Sequence, residues 1–306
     1  MDTHLVVGAG PVGTATARRL LADGHHVRVV TRSGSGPDGA ERLAADAADA
    51  TRLAELAEGA VAVYNCVNPT YSRWETDWPP IAAALLHAAE TSGAVLATVG
   101  NLYGYGRVHA PMTEQTPAAA TGRKGKVRNA MWRDALAAHE AGRVRAFEVR
   151  GSDYLGGNSL LSYVVTPALR KGRRAFVPAD LDAPHTWTCT EDVAALLVTG
   201  VYDERAWGRV WHVPSTEPLT IRQLSAIAAG QLGVRAKVSA MPYPVLWAAG
   251  LVNPMAKELR ETQHQFRHPF VLDSSAAQET FGLQPTPIEE AVRIDLAAGA
   301  PRGIKA

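Results

Sequence analysis

The chain has 306 residues, 46% hydrophobic and 20% charged, which suits one large domain or two closely joined ones. Thirty-one basic residues against 30 acidic ones leave a formal charge of +1, excluding the strong field of a nucleic-acid or anionic-membrane binder. No apolar run reaches the length of about 18 residues that a membrane helix needs, and the two cysteines, Cys66 and Cys189, form no CxxC pair.

These readings predict a soluble, cytoplasmic protein with a small-molecule substrate, no nucleic-acid or membrane partner, and no metal. The opening MDTHLVVGAG carries no basic leader and runs straight into a strand, in line with that expectation. A homodimer is left open.

Apolar runs of strand length fall at Leu5–Val7, Val27–Val30, Ala62–Val67, Val95–Val99 and Ala146–Val149. Helical stretches lie between them, at Val12–Ala22, Ala50–Glu58, Trp78–Thr91 and Val127–Ala141. Such alternation predicts a doubly wound α/β fold, a parallel sheet covered on both faces (Rossmann type). Beyond Gly156 the pattern loosens and prolines multiply (Pro167, Pro178, Pro184, Pro214, Pro218), which reads as a smaller C-terminal mixed α/β lobe. One crossover returns to the sheet around Thr186–Gly200. The division expected is residues 1–155 with 186–213 for nucleotide binding, and 156–185 with 214–306 for substrate.

The clearest motif is Gly8-Ala9-Gly10-Pro11-Val12-Gly13, set after a strand and opening a helix. That context gives a GxGxxG its meaning as a dinucleotide-binding turn. Gly8 permits the turn, Gly10 clears an approach for pyrophosphate, and Gly13 lets the helix pack close. Near the end of the second strand an NAD site expects an acid, but the residues are Arg32 and Ser33. A guanidinium there suits a 2′-phosphate, so the expected cofactor is NADP(H).

From these residues onward the chain resembles the extended short-chain dehydrogenase/reductases, the NAD-dependent epimerase/dehydratase group. Asp46 and Asp49 resemble its acidic pair after the third strand, and Asn65-Cys66-Val67-Asn68 the end of its fourth. Leu102-Tyr103-Gly104 resembles its V-Y-G, and Val149-Arg150-Gly151-Ser152-Asp153-Tyr154-Leu155-Gly156 its L-R-x-x-N-x-Y-G turn. The resemblance implies cofactor contacts from Gly8, Gly10, Pro11, Val12, Gly13, Arg32, Ser33, Asp46, Ala47, Asn65, Cys66, Val67 and Lys126.

Two usual catalytic groups are missing. The family's Ser or Thr position holds Val99, and Thr98 beside it points to the other face of a strand. If Lys126 is the catalytic lysine, the tyrosine position holds Gly122; if Lys124 is, it holds Ala120. The chain therefore resembles the atypical subgroup, and another donor is needed: Lys126, Asn101 and Tyr103 are the candidates, with Tyr105 nearby. An amide such as Asn101 holds an oxyanion but supplies no proton.

Substrate contacts are expected from Tyr71, Trp74, Tyr105, Tyr154, His185 and Trp187. Pro184-His185-Thr186-Trp187 stands where the family has an arginine that grips a nucleotide-sugar phosphate, which argues against such a substrate. Glu261, His264 and His268 share a face if helical, but the exposed-helix reading is preferred over a metal site. The basic run Arg123–Arg128 reads as cofactor mouth or solvated face. The leading function is an NADP-dependent oxidoreductase acting on a small, fairly apolar carbonyl or imine compound. A non-redox isomerase, lyase or cyclase, and an NADP(H)-sensing regulator, are the alternatives.

Overall fold

The computed structural model describes residues 1–251 and 254–298. Its strands are β1 (Thr3–Val7), β2 (His26–Thr31), β3 (Glu41–Ala44), β4 (Ala60–Asn65), β5 (Val95–Asn101), β6 (Arg145–Gly151), β7 (Asp153–Leu155), β8 (Ala175–Val177), β9 (Trp187–Cys189), β10 (Val210–His212) and β11 (Val238–Ala240). The helices are α1 (Pro11–Ala22), α2 (Ala50–Ala57), α3 (Trp74–Ser92), α4 (Arg123–Glu140), α5 (Thr166–Arg170), α6 (Thr190–Val201), α7 (Ile221–Gln231), α8 (Tyr243–Ala249), α9 (Pro254–Thr262), α10 (His264–Arg267), α11 (Ser275–Phe281) and α12 (Ile288–Ala298).

Seven strands form one parallel sheet in the order β10-β6-β5-β4-β1-β2-β3. The alternation of side chains along each strand sends residues to both faces, and both are apolar. Leu5, Val7 and Leu96 join Leu53 of α2, Leu85 of α3 and Ala138 of α4 in one core. Val6, Val95 and Ala97 join Leu20 of α1 and Leu197 of α6 in another. This is the doubly wound arrangement. Chain order reverses beside β1, and the crevice above that switch point is where such sheets take ligands.

The expected strands all form, but β3 carries no continuous apolar run. It is an edge strand with three of its four residues exposed, so its pattern reads as loop. Helix α3 starts at Trp74 rather than Trp78. Glu75 and Asp77 suit its first turn, and the Trp74 indole N–H donates to the Pro69 carbonyl at 2.9 Å. The crossover after Thr186 runs through β9 and α6 to β10, which pairs parallel with β6. The paired strands β7 with β9 and β8 with β11 lie outside the main sheet, beside a third core of Leu161, Val177, Trp187, Leu224 and Val292. Among the described residues no helix is long and apolar enough to cross a membrane.

Candidate active site

β1 runs into α1 through the glycine turn. Gly8 has φ +100°, and a Cβ there would lie 2.6 Å from the Cys66 carbonyl oxygen, so the turn requires glycine. A Cβ on Gly13 would collide with the Gly8 carbonyl; its absence seats the helix against the strand. At Gly10 a Cβ would meet nothing within 4 Å. Gly10 caps α1 without a side-chain bond and Pro11 follows at the first position, so the helix starts with N–H groups that have no partner inside it. These residues fit a dinucleotide: clear approach, free donors and the positive end of a helix dipole meet at one place.

The turn opens on a cavity of about 790 Å³. Gly8, Gly10, Pro11, Val12, Arg32, Asp46, Ala47, Cys66 and Val67 line it; Gly13, Ser33, Asn65 and Lys126 do not. Asn65 is buried, and its Oδ1 accepts from the Val67 N–H at 3.3 Å, shaping the loop after β4. Asp46 accepts from the Ala48 N–H at 2.9 Å, which closes the turn after β3. Asp49 is engaged elsewhere, capping α2 by accepting from the Arg52 N–H at 3.0 Å. Burial pushes the Cys66 thiol up to about 12, so it stays protonated and unreactive.

At the exposed rim Arg73 binds Asp77 through Nε at 3.1 Å and a terminal nitrogen at 2.9 Å. Those bonds, with a smaller contribution from the charge of Arg32, hold the Asp77 carboxyl below its ordinary value. Arg32, Arg73 and Asp77 all line the cavity.

At the carboxyl end of β5, Val99, Gly100, Asn101 and Tyr103 face the same space. Asn101 Oδ1 accepts from the Tyr103 N–H at 3.1 Å, and the Tyr103 hydroxyl meets that of Tyr71 at 2.8 Å. Trp74 packs edge-on against Tyr71, with ring centroids 5.1 Å apart. Burial raises both phenols above their ordinary range, Tyr103 the more strongly. Tyr154 also lines the cavity and donates to the Gly100 carbonyl at 2.6 Å.

Four expected site residues are placed differently. Lys126 is on the exposed side of α4. The buried cations of that helix are Lys124 and Arg128, spaced four apart, because a step of two residues along a helix turns the side chain to nearly the opposite face. Tyr105 is buried away from the cavity with its hydroxyl 2.8 Å from His212 Nε2. His185 is buried with Nε2 2.7 Å from Asp153 Oδ2, stacked on Phe266. The Trp187 indole N–H donates to the Leu219 carbonyl at 3.0 Å, within the third core. Glu261 binds the Lys124 ammonium at 3.1 Å, and Glu258 binds it at 2.5 Å.

The family model for the NAD dependent epimerase/dehydratase family matches residues 4–207, two thirds of the chain. The chain belongs to that family. Solved structures of similar fold include a UDP-glucose 4-epimerase at 17% identity, covering 100% of both chains with a TM-score of 0.80. The UDP-glucose 4-epimerase of Thermotoga maritima is 16% identical, over 97% of this chain and 98% of that one, TM-score 0.78. The dTDP-glucose 4,6-dehydratase of Streptomyces venezuelae, solved with NAD bound, is 19% identical over 95% and 96%, TM-score 0.76. No curated protein matches the chain.

For a member of this epimerase/dehydratase family, the residues that sequence reasoning missed are informative. Arg128, Ser152, Asp153, Gln265 and Phe270 all line the cavity. Arg128 donates to the Val99 carbonyl at 3.1 Å and lies over the rings of Trp74 and Trp78 at 4.8 and 4.5 Å. Its spacing from Lys124, the same four residues as the family's tyrosine and lysine, was the available signal. Gln265 and Phe270 are distant in sequence and carry no motif.

Proposed function

We propose that this protein is an NADP-dependent oxidoreductase of the atypical short-chain dehydrogenase/reductase type, acting on a small, fairly apolar carbonyl or imine compound. One observation carries the reading. A dinucleotide cradle and a half-buried phenol pair, Tyr71 and Tyr103, open on one cavity whose other walls include Trp74 and Phe270.

Bound nicotinamide nucleotide would supply hydride to the substrate or accept it. The residues of the chain divide the remaining work. Gly8, Gly10 and the start of α1 receive the pyrophosphate, Asp46 and Ala47 flank the adenosine, and Arg32 pairs with the 2′-phosphate. Tyr103 holds the substrate oxygen or nitrogen and donates a proton from its hydroxyl, while Tyr71 hydrogen-bonds that hydroxyl from behind. Burial keeps both phenols protonated at neutral pH, the state a donor needs. The same burial makes them weak acids, which favours an iminium that arrives already protonated. Val99 contributes no hydroxyl, and Asn101 is occupied with its own loop.

A nucleotide-sugar substrate is disfavoured. His185, at the family's arginine position, is held by Asp153 and outside the cavity lining. Residues 1–155 with 186–213 form the nucleotide-binding unit in this reading. Residues 156–185 with 214–306 bring Ser159, Leu160, Gln265 and Phe270 to the substrate wall.

Family membership favours a second reading, isomerisation without net redox change. Incubation with NADPH and a panel of ketones, imines and epimerisable compounds separates the two. Net loss of NADPH absorbance with reduced product supports the oxidoreductase. Substrate conversion without cofactor consumption replaces it with the isomerase, and cofactor binding without any chemistry leaves the regulator.

A further inference from the structure

We infer that the substrate carries a carboxylate and that Arg128, with Ser152 and Gln265, receives it. This rests on the reading of the cavity as a substrate site beside bound nucleotide.

Arg128 is the odd one among the buried cations. Lys124 lies between two carboxylates, and Arg150 donates to Glu148 Oε1 at 2.5 Å. Arg128 is 6% exposed and, among the described residues, has no carboxylate within ion-pair distance. Its protein contacts are one backbone carbonyl and two indole faces, and its Nε has no hydrogen-bond partner. Glu148 is the acid with most influence on it, and Glu148 is already bonded to Arg150. A buried cation without a counter-ion is costly, and an anion bound in the cavity would offset that cost.

Two more buried, unpartnered polar atoms belong to residues that line the same cavity. Ser152 Oγ and Gln265 Nε2 have no partner, on residues 7% and 2% exposed. Guanidinium, hydroxyl and amide N–H are all donors, and a carboxylate offers two oxygens with about four acceptor sites between them. The guanidinium fork matches that geometry in a way a lone hydroxyl or ketone oxygen does not. Asp153 is the acid that lines this cavity near Ser152, and its Oδ2 is bound to His185. Tyr71, Trp74, Tyr103 and Phe270 remain to cover an apolar body. The substrate class is therefore an oxo or imino acid with a short aryl or alkyl chain.

The test is calorimetric titration of protein saturated with NADPH. The probes are phenylpyruvate and its neutral counterpart 1-phenylpropan-2-one, in which methyl replaces carboxylate. Wild type is expected to bind the acid at least about tenfold more tightly, the yield of one charge-assisted contact. Arg128→Met should abolish that preference and leave the NADPH affinity within about twofold. Gln265→Glu, which sets a like charge against the acid, should weaken the acid and leave the ketone unchanged; it keeps the test open if Arg128→Met does not fold. Equal affinities in wild type, no binding of the acid, or an acid preference that survives Gln265→Glu would overturn the inference. So would loss of NADPH binding in Arg128→Met, which would assign the arginine to the nucleotide. Failure of wild type to bind NADPH at all would strike the reading beneath it instead.

Discussion

Replacing Arg32 with alanine isolates the residue proposed to choose the cofactor. The side chain stands at the end of β2, exposed, on the rim of the nucleotide cavity. A hydrogen bond to a charged group contributes about 1.5–3 kcal/mol, and exposure places this one at the lower end. At about 1.4 kcal/mol per decade, the 2′-phosphate should improve binding roughly tenfold. Fluorescence titration of NADPH and NADH reads this directly. Wild type should prefer NADPH by about that factor, and Arg32→Ala should lose the preference through NADPH alone, with NADH affinity unchanged. Raising ionic strength should narrow the wild-type gap, since an exposed pair is screened within about 8–10 Å at physiological salt. Equal affinities in wild type, or an unchanged NADPH affinity in the variant, would refute Arg32 as the reader. Should Arg73→Ala remove the preference instead, the arginine on the far side of Asp77 is the reader.

Other substitutions probe the remaining parts. Gly10→Val should abolish nucleotide binding in calorimetry with little change in Tm, whereas Gly13→Val should prevent folding, because its Cβ meets the Gly8 carbonyl. Under single turnover Tyr103→Phe should slow the chemical step by about 10² or more, as expected for a lost proton donor, while Lys126→Ala should leave it nearly intact. His4 is buried between the hydroxyls of Tyr64 and Tyr202, at 3.1 Å from each, and burial first, then the charge of His25, brings its pKa down from 6.5 to about 4. The unfolded chain then binds the extra proton first, so this stability is complete above pH 6.5 and lost as pH falls toward about 4, a loss of order 3 kcal/mol. Denaturant titrations at pH 7 and pH 4.5 should show a smaller loss in His4→Gln than in wild type; equal losses would reject His4 as the titrating group.

Much of the nucleotide half is legible because backbone geometry dictates it. Gly8 and Gly13 are required by close approaches that any side chain would block, and such requirements leave a fixed spacing in the sequence. Buried strands such as β1 and β5 announce themselves as continuous apolar runs, while β3, at the edge, has no core to face and no run to show. The rest of the cavity wall is read less well because tertiary packing assembles it. Ser152 lies between β6 and β7, whereas Gln265 and Phe270 lie in and just after α10, and no local pattern ties the two segments together. Trp187 is drawn into the third core, and His185 stacks on Phe266 and Phe270 with its Nε2 held by Asp153.

Lys126 and Arg128 show how a small registration error becomes a chemical one. On a strand a shift of two keeps the face, but on a helix it turns about 200°, so the lysine expected to point inward points to solvent. What replaces it is a cation stacked between a carbonyl and two indoles, set beside phenols that arrive from a loop and from the turn after β5. The scaffold of the family is kept, while β5 carries Val99 and α4 carries no tyrosine. A reduction needs a proton donor, and the groups facing the cavity include Tyr71, Tyr103 and Arg128. A phenol held protonated beside a buried guanidinium favours substrates that bring negative charge with them. If the chemistry is reduction, the acid and the proton acceptor are thus expected on the same small molecule.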